Sequence, residues 1–316
     1  MTLDDLDRAV LHALHIDGRA QFNHVAKVLG TSQQTVARRY RKLRESGALR
    51  VVGMIDARKA GQVEWFLRLS CAPDTAVPVA RALAGRPDTT WVQLTSGGTE
   101  ISCVIRADNA PEALLLQQLP RTPKVLSVSA HCLLRSFVGG PVGWHGRAGA
   151  LTADQVTQLT PSFDTDAAQE PEVDERLVAL LREDGRASFT DLAAATGWSE
   201  PTVRRRVNQL RANGLLYFDV DMDPAVLGFH AQAILWMSAR PKHLVTAAQA
   251  LARQPEVALA AITTGPADLL AKVVCRDIDA LYAYLTERVA TIEGIERMET
   301  APVIHTLKRA ALTGAT

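Results

Sequence analysis

The feature that most constrains this chain is an internal repeat. Shifting the sequence by 167 residues places residues 6–61 over residues 173–228 without a gap, and 20 of the 56 aligned positions are identical. The identities include two Asp-Gly-Arg-Ala segments, at residues 17–20 and 184–187. Self-similarity of this kind predicts two structural units built on the same pattern.

The similarity continues more weakly at an offset of 168, where residues 95–100 lie over residues 263–268. Each unit of the repeat therefore spans about 135 residues. Residues 138–172, between the two copies, begin with a Gly- and Pro-rich stretch and end in Gln-Glu-Pro-Glu, which predicts a linker. Within it, residues 151–159 are expected to form a helical turn or to pack on a neighbour, and not to form a third domain.

Each copy opens with three predicted helices. In the first copy, apolar residues recur at helical spacing from Leu6 to Leu14, and Asp17 and Gly18 end that helix. A second helix covers residues 22–29, and Ser32 is placed to cap a third helix. Three helices in about 45 residues, the last two joined by a tight glycine turn, are typical of a helix-turn-helix domain.

The third helix is predicted to bind double-stranded DNA. Val36, Tyr40 and Leu43 fall on one apolar stripe, so the opposite face is exposed and carries polar and basic residues. Arginine and lysine attract phosphates, and glutamine pairs with adenine edges in the major groove. An ordinary solvated helix face is the alternative. The predicted DNA-binding residues of this copy are Ser32, Gln33, Gln34, Thr35, Arg38, Arg39, Arg41 and Lys42.

The two copies differ in charge. Residues 1–61 hold 11 Lys and Arg against six Asp and Glu, a net charge of +5, whereas residues 173–228 hold seven Arg against nine acids, a net charge of −2. Glu200 and Pro201 stand where the first copy has two glutamines, and Asn208 stands where it has an arginine. We therefore expect the second copy to bind DNA more weakly or to read a different half-site. Its predicted DNA-binding residues are Ser199, Thr202, Arg204, Arg205 and Arg206.

A βαββαβ pattern follows each helix-turn-helix. In the first copy the pattern predicts strands at 65–71, 90–96, 100–106 and 125–137, and helices at 76–84 and 111–119. In the second copy it predicts strands at 231–237, 257–264, 268–275 and 295–307, and helices at 245–252 and 278–289. This order is that of the ferredoxin-like split βαβ fold. Helices on one face leave the other face of each sheet open, and two sheets in one chain can cover each other.

The predicted fold class is therefore α+β. It comprises two winged-helix-type helix-turn-helix domains, each followed by a ferredoxin-like domain. The expected divisions are 1–61 for the first helix-turn-helix, 62–137 for the first ferredoxin-like domain, 138–172 for the linker, 173–228 for the second helix-turn-helix and 229–309 for the second ferredoxin-like domain.

With these residues in view, the chain resembles the Lrp/AsnC family of bacterial and archaeal transcription regulators. The resemblance covers about 270 of the 316 residues and rests on the domain order, the Asp-Gly-Arg segment at 17–19, and the Gly-x-x-acid turns at 97–100 and 265–268. It implies a sequence-specific DNA-binding regulator that forms homo-oligomers and responds to an amino acid. Because one chain holds two units, we expect a covalent pseudo-dimer, an asymmetric operator, and further pairing into a dimer of pseudo-dimers or larger.

The same resemblance places the effector at the turn between the second and third strands of each ferredoxin-like domain. A plain hairpin turn is the alternative, because Gly-Gly and Gly-Pro are strong turn formers. Pro266 also lacks an amide donor, which leaves the identity of the effector open. The implied effector-binding residues are Thr95, Ser96, Gly97, Gly98 and Glu100 in the first copy, and Thr263, Thr264, Gly265 and Asp268 in the second.

An enzyme is the rival class, because siroheme decarboxylases also resemble Lrp/AsnC proteins. Their resemblance would place His, Tyr and Arg in the strand before the turn, and residues 91–95 and 259–263 contain none of these. We therefore expect no enzymatic activity and no cofactor. A third class is an interaction protein, in which the acidic second helix-turn-helix binds protein and not DNA.

The composition and the spacing of particular residues also bear on metal binding, nucleotide binding and membrane association. The four cysteines are far apart and lack zinc-ligand spacing, and the pair His12 and His15 has no third ligand nearby, so no metal site is expected. Residues 139–143 lack the Lys-Ser/Thr of a phosphate-binding loop. No apolar run reaches the 18 or so residues of a membrane helix, and the acidic start is unlike an export signal. The expected location is the cytoplasm, away from membranes.

Overall fold

The computed structural model of the protein describes residues 3–72, 74–108, 125–144, 149–163, 173–310 and 312–313. The chain divides into two compact units, and each unit combines stretches from both halves of the sequence. Unit 1 comprises Met1–Ala60 and Ala148–Leu227, and unit 2 comprises Gly61–Arg147 and Gly228–Thr316. The two helix-turn-helix copies therefore share unit 1, and the two ferredoxin-like copies share unit 2.

Three helices form each helix-turn-helix of unit 1. The first copy contains α1 (Asp5–Ile16), α2 (Phe22–Leu29) and α3 (Gln33–Glu45). The second contains α6 (Glu175–Glu183), α7 (Phe189–Thr196) and α8 (Glu200–Ala212). Gly30 ends α2 at φ +65° and Gly197 ends α7 at φ +79°, both in the left-handed region that glycine adopts without steric cost. Each glycine turns the chain directly into the third helix.

A two-stranded sheet joins the two copies of unit 1. Strand β1 (Leu49–Ile55) follows α3, and strand β6 (Leu216–Met222) follows α8. The two strands pair antiparallel over their full length, from Leu49 opposite Met222 to Ile55 opposite Leu216. The strand after each helix-turn-helix therefore pairs with its counterpart from the other copy, and the copies are related by a local pseudo-twofold axis.

The repeated Asp-Gly-Arg-Ala segments form a second connection, which we call the reciprocal lock. Arg19 donates hydrogen bonds to the carbonyl oxygens of Gly185 and Ala187 at 2.7 and 3.0 Å. Arg186 likewise donates two hydrogen bonds to backbone carbonyl oxygens of the segment that carries Arg19, at 2.6 and 3.0 Å. Each guanidinium also lies over an aromatic ring of the other copy, at 4.6 Å for Arg19 and 4.3 Å for Arg186.

Ion pairs surround the lock in equivalent positions. Arg211 contacts Asp17 at 2.6 Å, and Arg44 contacts Asp184 at 2.7 Å. Burial, with repulsion from Arg186 and Arg211, lowers the pKa of Arg19 to about 10. The lock therefore holds its arginines in a poorly solvated setting, where carbonyl acceptors and aromatic rings replace water.

Glycine is required at a close contact between the two copies beside the lock. A Cβ atom at Gly18 would lie 2.7 Å from the Cβ of Phe218 and 2.8 Å from Cγ1 of Val51. At the equivalent Gly185, the amide donates to the Val51 carbonyl at 2.8 Å. The repeated glycines thus let backbone and side chains of opposite copies pack in direct contact.

A short helix of the segment between the copies packs on the first helix-turn-helix. Helix α5 (Ala153–Leu159) contacts α1 and α2. Gln155 donates to the Val28 carbonyl at 3.1 Å, and His24 donates to the Gln158 carbonyl at 2.9 Å. This helix lies within the segment 151–159 where a helical turn was predicted.

Unit 2 contains two copies of a four-stranded sheet. The first copy contains β2 (Gln62–Cys71), α4 (Ala76–Ala84), β3 (Thr89–Thr95), β4 (Glu100–Asp108) and β5 (Val125–Val138). The second contains β7 (Ala231–Ala239), α9 (Leu244–Ala252), β8 (Val257–Thr263), β9 (Leu269–Cys275), α10 (Ile278–Ala283) and β10 (Ile295–Arg309), and β11 (Leu312–Thr313) pairs with its end. The strand orders β3-β4-β2-β5 and β8-β9-β7-β10 are ferredoxin-like.

The last strand of each copy is shared between the two sheets. Strand β5 pairs first with β2 of its own copy and then with β8 of the other, where Leu133 lies opposite Thr263. Strand β10 pairs first with β7 and then with β3, where Val303 lies opposite Thr95. Eight strands therefore close a continuous ring, because β10 contacts both β7 and β3.

The sheets bury apolar side chains on both faces. On the outer faces, α4 covers residues such as Leu67 and Ile101 in the first copy, and α9 and α10 cover Leu235 in the second. Between the two sheets lies a separate inner cluster that includes Phe66 and Trp236. The open face of each sheet is thus covered by the other copy, as the sequence pattern predicts.

Most predicted elements are present, with boundary shifts of one to three residues. The second copy departs from prediction at 278–289, where the α-helix stops at Ala283, continues as a π-helix over Tyr284–Arg288 and ends in a 3₁₀ turn over Val289–Thr291. The predicted helix at 111–119 lies outside the described residues.

Candidate functional site

The third helix of the first copy presents its polar face to solvent. Ser32 caps α3 by accepting a hydrogen bond from the Thr35 amide at 3.1 Å. The apolar stripe of Val36, Tyr40 and Leu43 is buried, as predicted. The exposed residues on the other side are Gln33, Gln34, Arg38, Arg41 and Lys42.

Three of the exposed cations on α3 are free to meet an anionic partner. The side chains of Arg38, Arg41 and Lys42 make no ion pair within the ranges the structure describes. Arg39 differs, because it reaches Asp4 at 2.5 Å and Asp7 at 3.1 Å and thereby fixes the start of α1. Of the four basic residues predicted to bind DNA here, Arg39 therefore forms ion pairs within the domain, and the other three form none with the described residues.

The third helix of the second copy uses its cations differently. Ser199 caps α8 at the Thr202 amide, as Ser32 does in the first copy. Arg204 pairs with Glu200 at 2.7 Å and lies 4.5 Å from the Phe189 ring. Because Glu200 accepts from Arg204 and also from a threonine hydroxyl, its pKa is lowered from the ordinary value.

Arg206 and Arg205 complete the predicted DNA-binding cations of α8. The Arg206 guanidinium lies 4.2 Å from the centre of the Trp198 ring. Arg205 is exposed, and no ion pair of its side chain is found in the described part of the chain. The two helices therefore differ more than their sequences suggest. Among these predicted residues, and counting partners in the described ranges only, α3 offers three unengaged cations and α8 offers one.

The first predicted effector turn is held by its own side chains. Ser96 donates to the Glu100 carboxylate at 2.7 Å, and Thr99 donates to the Ser96 carbonyl at 2.9 Å. Ser96, Gly97 and Gly98 all have positive φ, at 53°, 72° and 86°. Arg68 of β2 approaches Glu100 at 2.7 Å. The side chains of Ser96, Thr99 and Glu100 are thus engaged locally, as in a structural turn, whereas the buried Thr95 hydroxyl has no hydrogen-bond partner among the described residues.

The second turn is tied to its neighbouring strands. Thr263 donates to the Ala267 carbonyl at 2.8 Å, and Asp268 accepts from the Ala239 amide at 3.3 Å. The Thr264 hydroxyl accepts from the Cys132 amide, and its carbonyl accepts from His131 Nδ1, both at 2.9 Å. Gly265, at φ +103°, lies directly against that histidine. This turn forms part of a larger polar arrangement that sequence reasoning missed.

That arrangement is a partly open cleft of about 110 Å³ within unit 2, which we call the inner cleft. It lies where the two ferredoxin-like copies meet, beside the inner apolar cluster. A charged residue within the mainly apolar stretch Trp-Phe-Leu-Arg-Leu-Ser-Cys was the available sequence signal. The lining residues are Arg68, Ser129, His131, Trp236, Ser238, Pro266, Ala267, Arg297 and Glu299.

Arg68 links both copies at the inner cleft. It donates to Glu100 of its own copy and to Glu299 of the other. Hydrogen bonds with Glu299 and then Glu100 raise the pKa of Arg68, and the bond from Arg68 lowers the pKa of Glu299. The ion pairs fix Arg68 as a cation and Glu299 as a carboxylate at neutral pH.

The described residues were compared with the requirements of a metal site and of a membrane-spanning helix, and they meet neither. Within the described ranges, no group of three or more His, Cys, Asp or Glu is arranged to hold a metal ion. No helix among these residues is long and apolar enough to cross a bilayer.

Two protein-family models match the chain. The AsnC-type helix-turn-helix domain matches residues 3–44 and again residues 172–211. The Lrp/AsnC ligand binding domain matches residues 232–312. Both helix-turn-helix copies are thus matched separately.

Individual relatives correspond to less than half of this chain. The uncharacterized HTH-type transcriptional regulator PYRAB01370 of Pyrococcus abyssi is 34% identical over 131 residues, which are 41% of this chain and 83% of that protein. The HTH-type transcriptional regulator Ptr1 of Methanocaldococcus jannaschii is 28% identical over 137 residues, 43% of this chain and 93% of that protein. A relative therefore has about the length of one repeat unit.

One solved structure is similar over nearly the whole chain. The crystal structure of the siroheme decarboxylase NirDL covers 98% of this chain and 94% of its own, with a TM-score of 0.64 and 13% sequence identity. At this identity the likeness shows the fold alone.

Proposed function

Because the chain belongs to the Lrp/AsnC family of helix-turn-helix transcriptional regulators, we propose that it binds an asymmetric DNA operator mainly through its first helix-turn-helix. The observation that carries this proposal is the exposed face of α3, where Arg38, Arg41 and Lys42 have no ion-pair partner among the described residues. Free guanidinium and ammonium groups attract phosphates, and Gln33 and Gln34 at the start of the helix are suited to base edges.

The second helix-turn-helix plays a lesser part in this proposal. Glu200 places a negative charge at the start of α8, where phosphates would approach, and pairs with Arg204. Arg206 lies on an indole ring. Arg205 and the hydroxyls of Ser199 and Thr202 remain as its DNA-binding candidates, so the second copy adds a few backbone contacts or binds a protein partner.

The chain acts in this proposal as a covalent pseudo-dimer. Two observations support it: β1 pairs with β6 in unit 1, and the strands of both ferredoxin-like copies form one ring in unit 2. These are interactions between the copies of a single chain. Association of such chains into a dimer of pseudo-dimers or larger is part of the same proposal.

A small-molecule effector completes the proposal. The matched ligand-binding domain covers the second predicted turn, with Thr263, Thr264, Gly265 and Asp268. The first turn, with Thr95 and Glu100, is its structural counterpart. An amino acid bound at these turns would reach strands that both copies share, and so could alter how the copies are held.

A mobility shift on a DNA fragment from upstream of its own gene tests the proposal. At low salt we expect the purified chain to shift the fragment, and added salt to weaken binding steeply. Arg38→Ala should cost more affinity than its matched control Arg205→Ala, which removes the equivalent residue of the second copy. Failure to bind DNA at low salt would contradict the proposal, and equal effects of the two variants would contradict the unequal roles of the copies.

A binding experiment with the same purified protein distinguishes a regulator from the enzymatic alternative. The whole-chain likeness to a siroheme decarboxylase concerns the fold, and a decarboxylase of this kind would bind a tetrapyrrole. Titration with an iron porphyrin, followed by its visible absorption, should give no saturable binding if the chain is a regulator only. A saturable spectral shift would favour the enzyme.

A further inference from the structure

The segment between the two copies forms a strap within unit 1. We define the strap as residues 149–163, which contain α5. Leu159 is buried, and Gln155 both accepts from the backbone at the start of α5 and donates to the Val28 carbonyl of α2. Helix α5 has only seven residues, and an isolated helix of that length is not stable in water. Its helical structure therefore depends on its contacts with α1 and α2.

The start of the strap is held by His12 of α1. The backbone amides of Ala150 and Leu151 both donate to His12 Nδ1, at 3.2 and 3.1 Å. A backbone N–H can only donate, so Nδ1 carries a lone pair and His12 is neutral in this arrangement. A protonated His12 would point an N–H at two other N–H groups. Protonation of His12 is therefore incompatible with this contact.

The other end of α5 is held by a histidine with a different requirement. His24 Nε2 lies 2.9 Å from the Gln158 carbonyl oxygen, which can only accept. Nε2 is therefore the donor, and it carries a hydrogen in the charged ring as well as in one neutral tautomer. Acid thus acts differently on the two ends of the helix, because it breaks the contact at His12 and leaves the contact at His24 in place.

Beyond α5, the strap lies against one of the two ion pairs beside the reciprocal lock. The Arg211 guanidinium lies 4.8 Å from the centre of the Phe163 ring. The Arg211 and Asp17 side chains are 14% and 13% exposed. In the equivalent pair, the Arg44 and Asp184 side chains are 50% and 26% exposed. The strap thus reaches from α1 of the first copy to α8 of the second, and it contacts the better shielded of the two pairs.

The second helix-turn-helix lacks the two histidines that hold the strap. Ala179 and Asp191 stand at the positions of His12 and His24, 167 residues further along the chain. An alanine side chain has no acceptor, and an ionised aspartate cannot donate to a carbonyl. The contacts that hold the strap are therefore specific to the first copy.

The ionisable groups on the elements around His12 carry both signs of charge. Cations disfavour a charged His12, as the two amide donors do, and carboxylates favour it. These groups are Arg8 and His15 on α1, His24 and Lys27 on α2, Arg39 on α3, Asp154 on α5, and Asp219 and Asp221 on β6. Arg39 is itself paired with Asp4 and Asp7 at the start of α1. The two amides meet His12 at hydrogen-bond distance and select its neutral form.

We propose that the strap is a pH-sensitive latch between the two helix-turn-helix copies. While His12 is neutral, the strap is docked, α5 is helical and Phe163 covers Arg211. When His12 takes up a proton, the start of the strap is released, and α5 loses its helical structure. Because the docked form accepts only the neutral ring, docking is stable above the pH at which His12 is protonated and is lost below it. An ordinary histidine changes its charge at about pH 6.5.

Amide hydrogen exchange of the full chain, read by mass spectrometry, tests the latch without DNA. The rates are corrected for the intrinsic effect of pH on exchange, so that they report protection by structure. From about pH 7.5 to about pH 5.5, protection of residues 150–159 should fall about tenfold or more, and protection of α3 should fall less than about twofold. A fall of equal size in α3 would mean that unit 1 unfolds as a whole, and would contradict a latch.

Three variants assign the effect to one histidine. His12→Asn keeps an acceptor near the position of Nδ1 and does not titrate, so the strap should stay protected at both pH values. His12→Ala removes the acceptor and should leave the strap unprotected at both. The matched control His24→Gln keeps an N–H donor and removes the other histidine that contacts the strap. Its response to pH should equal that of the unaltered chain.

Two further results would overturn the latch. One is protection of residues 150–159 that does not change with pH in the unaltered chain. The other is the same loss of protection in His12→Asn as in the unaltered chain, which would show that His12 is not the group that responds. None of these measurements involves DNA, so a failure to bind DNA would leave the latch standing, and a failed latch would leave the proposed function untouched.

Discussion

The two helix-turn-helix copies are alike in the Asp-Gly-Arg-Ala segments that form the reciprocal lock and differ at several exposed positions of their third helices. Asp17, Gly18, Arg19 and their counterparts are identical in both copies and all take part in the reciprocal lock or its ion pairs. Each of these residues contacts the other copy, either at the equivalent segment or, for the aspartates, at an arginine of the third helix. A change in one therefore disturbs both copies, whereas an exposed residue can change without such a consequence.

The third helices of the two copies differ in how many of their cations are engaged within the domain. Of the predicted DNA-binding cations, three on α3 and one on α8 have no ion-pair or ring partner within the described part of the chain. In the second copy, Glu200 at the start of α8 and Trp198 just before this helix engage Arg204 and Arg206 within the domain. In the proposed function, the paired architecture uses both copies, and DNA binding rests mainly on the first. Each half of that statement can be tested separately.

The largest effect is expected from breaking the reciprocal lock. Arg19→Ala removes two hydrogen bonds from a charged donor and leaves the carbonyls of Gly185 and Ala187 without it. The free energy of unfolding should fall by about 2–3 kcal/mol, and Arg186→Ala should cost a similar amount. Guanidinium denaturation followed by circular dichroism measures both. Arg205→Ala, an exposed arginine of the same unit, is the control, and equally small decreases in all three would show that the lock contributes little.

A smaller destabilisation is expected from adding a methyl group at Gly18, where the two copies are in close contact. Gly18→Ala would place Cβ 2.7 Å from the Phe218 Cβ, so the copies must separate slightly. Overpacking of this kind costs about 1–3 kcal/mol. Gly85→Ala is the control, because its new Cβ would meet its nearest atom at 3.6 Å, an ordinary contact. A variant at Gly18 as stable as this control would mean that the interface is loose.

The smallest effect concerns Glu200, which stands where the first copy has Gln33. Since hydrogen bonds lower the pKa of Glu200 in the folded chain, its ionised form adds stability above the ordinary value of 4.5, and this is lost as pH falls through the lowered value. Glu200→Gln should therefore lower the melting midpoint slightly near neutral pH and not at all in strong acid. Its DNA affinity should rise about twofold, because a negative charge is removed.

Glu175→Gln provides the control for charge alone. Glu175 lies in the first turn of α6 and is exposed, so its substitution removes the same charge away from the third helix. An equal gain in DNA affinity from Glu175→Gln would show that overall charge, and not the position of Glu200, is responsible.

Much of the fold was predictable because local signals repeat in both copies. The glycine turns, the serine caps and the apolar stripe of α3 specify the helices from residues close in sequence. The alternating strands fix the ferredoxin-like order. What could not be predicted is how the copies share elements. The pairing of β1 with β6, and the passage of β5 and β10 from one sheet to the other, join residues far apart in sequence.

The candidate functional residues likewise divide into those whose setting the sequence predicts and those whose contacts depend on packing between distant residues. Position on a helix face predicts that Arg38, Arg41 and Lys42 are exposed, and they are. The same reasoning cannot show that Arg39 pairs with Asp4 and Asp7, because that contact depends on the packing of α1 against α3. The inner cleft as a whole was not predicted, because apart from Pro266 and Ala267 of the second predicted turn its residues come from several strands of two copies.

The salt dependence of DNA binding tests the central claim most directly. For an operator fragment, the slope of log affinity against log salt falls in magnitude by about 0.9 for each phosphate that the protein no longer neutralises. Replacing Arg38, Arg41 and Lys42 by alanine should reduce the slope by about 2 to 3, and replacing Arg204, Arg205 and Arg206 should reduce it by about 1 or less. Equal reductions from the two triple variants, or a larger one from the second copy, would contradict the claim that the first copy dominates DNA binding.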